Sequence, residues 1–144
     1  MSKGKKRVIL ILLLAVLGAA LVWGFWQQPL SLAQQLPETE WKTIRVNRGL
    51  EHPQTWEFLQ GSDVWDEFNA ALEQTSVTRW AGKVYGLNEV DFELFLYPES
   101  GSRTVVYVKE NGIIAVASEG EFDHYQYYDS GEELFQQLSK LLDD

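Results

Sequence analysis

Acidic side chains that alternate along the chain are the residues of this sequence best suited to chemistry. Glu119, Glu121 and Asp123 occupy every second position, so in an extended strand they share one face. Carboxylate oxygens are the ligands that Ca²⁺ prefers, but the segment does not fit an EF-hand loop. The sixth position of such a loop needs glycine and here holds His124. We interpret the three carboxylates as a solvated acidic edge, with a cation site as the alternative.

A group of tyrosines follows this acidic edge. Tyr125, Tyr127 and Tyr128 lie in a predicted strand from Phe122 to Tyr128. A strand of a two-layer domain buries one face only, so some of these rings are expected on the surface. Tyrosine is enriched at protein interfaces. We therefore expect Tyr125 and Tyr127, together with the acidic edge, to form a contact surface; packing beneath a loop or helix is the alternative.

The sequence offers little for catalysis. Its two histidines, His52 and His124, are interpreted as surface or structural residues. Asp91 and Glu93 alternate with an apolar face, which explains them without acid–base chemistry. The chain has no Gly-x-Ser-x-Gly elbow, P-loop or Gly-x-Gly-x-x-Gly motif. We expect no enzyme, no cofactor and no metal; a pocket that gathers a histidine with carboxylates is the enzymatic alternative.

The absence of cysteine excludes several further classes of protein. Disulfide scaffolds, Cys-ligated zinc, iron–sulfur clusters and thiol nucleophiles all need cysteine. The lipid anchor of bacterial lipoproteins also needs a cysteine to acylate.

The N-terminal sequence predicts a membrane segment. Basic residues at Lys3, Lys5, Lys6 and Arg7 precede 19 residues without a charge, Val8 to Trp26. A helix of that length spans about 28 Å, close to the hydrocarbon thickness of a bilayer. We predict a cytoplasmic tail at 1–7 and a transmembrane helix at 8–26 that starts at Val8. Trp23 and Trp26 are then placed at the far interface, with the rest of the chain outside the cytoplasm.

A cleaved signal peptide is the alternative to this anchor. Ser31-Leu32-Ala33 offers a small-residue cleavage site, and the mature chain would then be secreted. The apolar region of a signal peptide is usually shorter than this one, at about 7–15 residues. For this reason we expect a retained anchor and a contact with the lipid bilayer through residues 8–26.

The remaining chain is strongly acidic. Residues 27–144 hold all 21 acidic side chains but only 8 of the 12 basic ones, so their net charge is −13 against −9 for the whole chain. Such a charge repels phosphate backbones, and nucleic acid is not expected as a partner. It either keeps the domain soluble beside an anionic membrane or attracts a basic partner or a cation.

Residues 27–39 are polar and contain Pro29 and Pro37, which predicts a linker before a domain at 40–144. Hydrophobic periodicity predicts an α+β domain, in which a small antiparallel sheet packs against two helices. Ser62 or Asp63 should cap the first helix, and Ser130 with Glu133 should form a capping box for the second. The predicted strands are 41–46, 56–59, 77–85, 90–96, 103–109, 113–118 and 122–128, with helices at 64–74 and after 130.

This layout resembles the small extracytoplasmic YhfM-like and similar domains of Gram-positive bacteria, families of unknown function. The resemblance covers roughly residues 41–142 and rests on an opening strand near Ile44 and on three runs: Asp63–Phe68, Phe92–Leu96 and Tyr128–Leu134. It implies an extracytoplasmic location and an α+β fold, and it carries over no site residues. Many of these relatives are lipoproteins, and this chain departs from them by lacking the acylated cysteine.

Together these observations predict a single-pass, membrane-anchored, non-enzymatic binding module outside the cytoplasm. Its partner would be a basic protein or another component of the cell envelope. The alternative is an inhibitor or immunity-type protein that neutralises one basic partner through complementary charge.

Overall fold

A computed structural model of the chain describes residues 1–37, 40–49, 54–80, 90–118 and 125–143. It confirms the predicted α+β fold class, with an apolar N-terminal helix followed by an antiparallel sheet and further helices. The elements are α1 (Lys3–Trp26), β1 (Leu30–Ser31), α2 (Leu32–Gln35), β2 (Thr43–Arg48), β3 (Gln54–Leu59), α3 (Asp63–Gln74), β4 (Ser76–Arg79), β5 (Phe92–Tyr97), β6 (Thr104–Val108), β7 (Ile114–Ser118), β8 (Gln126–Asp129) and α4 (Glu132–Asp143).

Within the described ranges the sheet has eight strands in the order β1-β4-β8-β7-β6-β5-β2-β3, and all neighbouring pairs are antiparallel. The strands from β5 to β8 form a meander. In its β6–β7 turn, Gly112 adopts a φ of 93° and its amide donates to the carbonyl of Lys109 at 3.0 Å. This left-handed conformation is what glycine permits at low cost, and it closes the hairpin between the strands predicted at 103–109 and 113–118.

The core lies between one face of this sheet and the helices. In β5, Phe92, Leu94 and Leu96 are at most 1% exposed, whereas the residues between them are half-buried on the opposite face. This alternation is the one predicted for the strand. Its charged residues were expected to face open water; in the structure that second face is largely aromatic.

α3 and α4 cover the core face of the sheet. Ser62 begins α3 as predicted, because its hydroxyl accepts a hydrogen bond from the amide of Trp65 at 3.3 Å. Rings then connect helix to sheet, with Phe92 and Phe135 centroids 5.6 Å apart. The fully buried side chains of α3 and α4 are Phe68, Leu72, Leu134 and Leu138.

The predicted capping box of α4 is wrong. Ser130 lies two residues before the helix in a left-handed conformation, with φ of 64°, and its hydroxyl is 3.1 Å from that of Thr78. The side chain of Glu133 instead accepts a hydrogen bond from Gln137. The reason is tertiary: a Cβ at Gly131 would overlap the Ile114 side chain, and the Gly131 amide donates to the carbonyl of Gly112 at 2.8 Å. This close approach determines how the chain enters α4.

The prediction of a linker at 27–39 is also wrong for its middle part. Leu30 and Ser31 form β1, which pairs with β4, and α2 follows directly. Leu32 is fully buried and Leu36 is 5% exposed, both within the core cluster. The folded domain therefore begins at Leu30, ten residues earlier than residue 40.

Two predicted strands are only partly described. Ser76–Arg79 forms β4 at the start of the predicted strand 77–85, and Gln126–Asp129 forms β8 near the end of 122–128. Residues 81–89 and 119–124 lie outside the described ranges. The remaining strand predictions match β2, β3, β5, β6 and β7 within a few residues.

Truncating Leu32 tests whether the segment after α1 belongs to the domain. Because the side chain is fully buried, Leu32→Ala should lower the free energy of unfolding by about 2–5 kcal/mol. Urea unfolding of the full chain in detergent, followed by tryptophan fluorescence, measures this. The control is Gln34→Ala, an exposed position of the same short helix, which should change stability by less than about 0.5 kcal/mol. Equal effects for both variants would contradict the assignment.

Candidate functional site

The candidate site lies on the face of the sheet opposite the helices, which we call the outer face. Strand register places its residues in two rows across β5, β6 and β7. One row is Phe95, Val105 and Ala117; the other is Glu93, Tyr107 and Ala115, and it continues to Tyr127 on β8. The outer face is therefore built from aromatic rings around a strip of small side chains.

Three tyrosines form the centre of this face, and we call Tyr107, Tyr125 and Tyr127 the tyrosine cluster. The Tyr125 ring centroid lies 5.7 Å from that of Tyr107 and 6.1 Å from that of Tyr127. Strands β6 and β8 are separated by β7 and so stand about 10 Å apart. The rings of Tyr107 and Tyr125 must therefore lean towards each other across β7.

This lean is possible because β7 presents alanine at that point. Ala115 is the register partner of both Tyr107 and Tyr127, and its methyl group is 1% exposed. A larger side chain there would hold the rings apart. The tyrosines themselves are half-buried, so part of each side chain is accessible to solvent.

The pKa of Tyr107, at the centre of the cluster, is raised by burial and by a hydrogen bond. Burial raises the pKa of Tyr107 to about 12, and the hydrogen bond to the Tyr125 hydroxyl adds to this rise. Smaller contributions come from Glu93, which opposes ionisation, and from Arg103, which favours it. Tyr107 therefore stays protonated at neutral pH and serves as a hydrogen-bonding group, not as a base.

A cation lies beside the cluster on the same face. The guanidinium of Arg103 is 4.7 Å from the Phe95 ring centroid, within the range of a cation–π contact. Its Nη1 donates to the Tyr97 hydroxyl at 3.3 Å. The outer face thus combines exposed ring surface, tyrosine hydroxyls and a positioned positive charge.

This arrangement suits binding better than catalysis. Tyrosines contribute large rigid surfaces and polar hydroxyls to interfaces. Asp91, considered above with Glu93 as a carboxylate pair, instead accepts a hydrogen bond from the backbone amide of Glu110 at 2.7 Å. In the part of the chain that the structure describes, no group of three His, Asp or Glu side chains could hold a metal ion.

The structure brings together only some of the residues singled out from sequence. Tyr125 and Tyr127 lie together on the outer face, whereas Tyr128 points into the core and is 7% exposed. The acidic residues Glu119, Glu121 and Asp123 lie outside the described ranges, as do His52 and His124. Tyr107 was missed, because its strand Thr-Val-Val-Tyr-Val shows no alternation. The alanines at 115 and 117 could have indicated a row of small residues beside it.

The residues expected to contact a membrane all lie on α1. Val8, Trp23 and Trp26 are 57%, 66% and 37% exposed, and no residue of the helix is buried. α1 is long and apolar enough to cross a membrane, and a signal sequence has the same character. The helix begins at Lys3, earlier than the predicted start at Val8, so the basic residues form its first turns. An N-terminal helix of either kind is consistent with basic residues there.

The raised pKa of Tyr107 leads to a prediction at alkaline pH. Between pH 10.0 and about 12 the unfolded chain releases this proton while the folded chain retains it. The free energy of unfolding therefore falls as pH rises through that window. Tyr107→Phe should make this fall shallower, as measured by urea unfolding at several alkaline pH values.

An absorbance titration of tyrosinate provides the control for this assignment. Tyr107→Phe should remove the component that titrates last, and Tyr125→Phe should shift that component to lower pH. Tyr127→Phe leaves the hydrogen bond between Tyr107 and Tyr125 in place and should retain it. Loss of the same component in the Tyr127 variant would contradict the assignment.

Comparisons with protein-family models, with curated proteins and with solved structures found no match. The resemblance to YhfM-like domains therefore stays a prediction from sequence. The outer face and α1 are the features on which a functional argument can be built.

Proposed function

We propose that this chain is a membrane-anchored binding protein whose α+β domain lies outside the cytoplasm and contacts a partner through the tyrosine cluster. The observation that carries the proposal is the placement of three half-buried tyrosines on the sheet face opposite the helices, where the ring of Tyr125 contacts those of Tyr107 and Tyr127. In this proposal the chain has no enzymatic activity.

Charge and hydrophobicity support the anchor and its direction. α1 is apolar on all sides and has no buried residue. A helix of this kind needs lipid or protein around it. Its first residues include four positive charges and its last turn includes Trp23 and Trp26. Basic residues favour the cytoplasmic side and tryptophan favours the interface, which supports a domain outside the cytoplasm.

Composition and geometry support the use of the outer face for binding. Tyrosine rings supply contact area at a small cost in conformational entropy, and their hydroxyls supply hydrogen bonds. The cluster is already packed in the free chain through ring contacts at 5.7 and 6.1 Å. A preorganised surface loses less freedom on binding than a flexible one. The acidic residues at 119–123 follow β7 and precede Tyr125, so they are proposed as part of the same surface.

The net charge of −13 on residues 27–144 supports a second candidate function. An acidic domain attracts basic proteins over a distance and can block a basic toxin or enzyme. This inhibitor or immunity function would use charge as its main attraction. Binding should then weaken strongly with salt, whereas contact through tyrosine rings should be less sensitive.

The four basic residues before the span should determine orientation. Replacing Lys3, Lys5, Lys6 and Arg7 by glutamine removes the positive charges that favour the cytoplasmic side. We expect the wild-type chain to place a C-terminal reporter outside the cytoplasm, and the four-glutamine variant to lose most of that signal. Paired reporters, one active outside and one inside, measure the change.

The mass of the mature protein is measured in the same experiment. An intact chain of 16.5 kDa in the membrane fraction supports the anchor. A shortened chain in the soluble fraction would mean that α1 is a signal sequence. An inside reporter signal from the intact wild-type chain would contradict the proposed orientation.

Capture of a partner should depend on the tyrosine cluster. Tyr127→Ala removes a central ring, and a residue of this kind at an interface contributes about 2 kcal/mol or more. We therefore expect affinity to fall at least tenfold in pull-downs from native membranes with the full chain. Repeating the capture at low and moderate salt separates the two candidate functions.

Gln126→Ala is the matched control for this variant. Gln126 is exposed on the same strand, and its register partner is Val116, so its side chain lies on the other face. It should leave capture unchanged. Equal capture by the wild type, Tyr127→Ala and Gln126→Ala, with folding intact, would exclude the tyrosine cluster as the contact surface.

A further inference from the structure

A second site lies where the domain meets the end of α1. Arg79, the last residue of β4, stacks its guanidinium 4.8 Å from the Phe25 ring centroid and 6.0 Å from that of Trp26. Its Nη1 also donates to the carbonyl of Phe25 at 3.2 Å. These contacts join residues 54 positions apart in sequence and hold β4 beside the last turn of α1.

A pocket of about 240 Å³ opens at this junction. It is smaller than the pockets that hold drug-sized ligands, which measure about 300–1,000 Å³. Its lining includes Trp23, Trp26, Thr78, Arg79, Trp80 and Asp129. Three tryptophans, one guanidinium and one carboxylate therefore surround a space of the size of a small polar group.

The guanidinium of Arg79 in this pocket has N–H donors beyond the one that its hydrogen bond to Phe25 uses. Among the described residues Arg79 forms no ion pair, and its one hydrogen bond goes to the Phe25 carbonyl. A guanidinium has five N–H donors and matches phosphate in a bidentate geometry. In the described part of the chain the indole Nε1 of Trp80 also has no hydrogen-bond acceptor.

Other groups of the pocket lining favour a positive charge. Asp129 supplies a carboxylate, and the faces of the tryptophans attract a cation. A ligand that carries both a phosphate and an ammonium group would therefore satisfy Arg79 at one end and Asp129 with the indole rings at the other. The position adds a further constraint, because Trp23 and Trp26 end the apolar run of α1.

The geometry points to a binding site for one zwitterionic phospholipid headgroup, of the phosphoethanolamine type, between the end of α1 and the β4–β8 edge of the sheet. The inference rests on the membrane anchor of the proposed function. In a membrane-spanning chain this pocket lies at the depth of the headgroups, where lipid phosphates are the most abundant anions. Bound lipid would hold the acidic domain against the membrane through Arg79, which forms no ion pair among the described residues.

Native mass spectrometry of the detergent-extracted full chain tests this site. Titration with phosphatidylethanolamine should give one tightly bound lipid per chain, and Arg79→Gln should weaken that binding at least tenfold. Arg45→Gln makes the same change of charge at an exposed position of β2 and should have no effect. Equal binding by the two variants would overturn the site.

Asp129→Asn separates a headgroup contact from a merely structural role of the junction. The wild type should prefer phosphatidylethanolamine to phosphatidylglycerol, which lacks the ammonium group, and Asp129→Asn should bring the two affinities together. Equal affinities in the wild type would overturn the assignment of the ammonium end. Equally tight binding of soluble phosphoethanolamine or inorganic phosphate would overturn the assignment to a lipid.

The outcomes also separate this inference from the proposed anchor. An intact chain in the membrane fraction that binds no lipid at Arg79 leaves the anchor in place and removes the site. A shortened chain that lacks Trp23 and Trp26 removes both, because the pocket loses a wall together with the span.

Discussion

The structure depends on how both faces of its sheet are shielded from water, because among the described residues α3 and α4 pack against one face alone. The helices bury Phe92, Leu94 and Leu96 from one face, but Val105, Ala115 and Ala117 on the opposite face are also nearly inaccessible. A bare apolar face of an antiparallel sheet would be exposed to water. Tyrosine, phenylalanine and arginine side chains share that face with them. The same rings that shield the sheet are the ones proposed to contact a partner, so stability and the proposed binding would depend on one set of residues.

Much of the fold could be predicted because local pattern and tertiary packing agree. Alternation from Phe92 to Leu96 gave the core face correctly, and Ser62 caps α3 as its sequence indicates. The pattern failed where a distant contact decides the local conformation. Ser130 has the sequence of a capping residue, yet the approach of Gly131 to Ile114 and Gly112 gives it another role. Leu32 was assigned to a linker because its short helix is too brief to show a period.

The candidate site was predictable only in part for a related reason. Tyr125 and Tyr127 alternate along one strand, so their shared face can be recognised from sequence. Tyr107 joins them through strand pairing across β7, and pairing partners are not visible in an isolated run such as Thr-Val-Val-Tyr-Val. The contact of Arg79 with Phe25 is more remote still. It requires β4, β8 and the end of α1 to meet, which only the folded chain shows.

Because the domain begins at Leu30, it can move only a short distance away from the end of α1. Only three residues, Gln27–Pro29, separate α1 from β1, and fully extended they span about 10 Å. A chain held in a bilayer by α1 therefore keeps its domain on a short tether, within the layer of solvent next to the lipid. For such a chain, a partner in the same membrane would be met at high effective concentration. A soluble partner would have to come to the membrane surface to be bound.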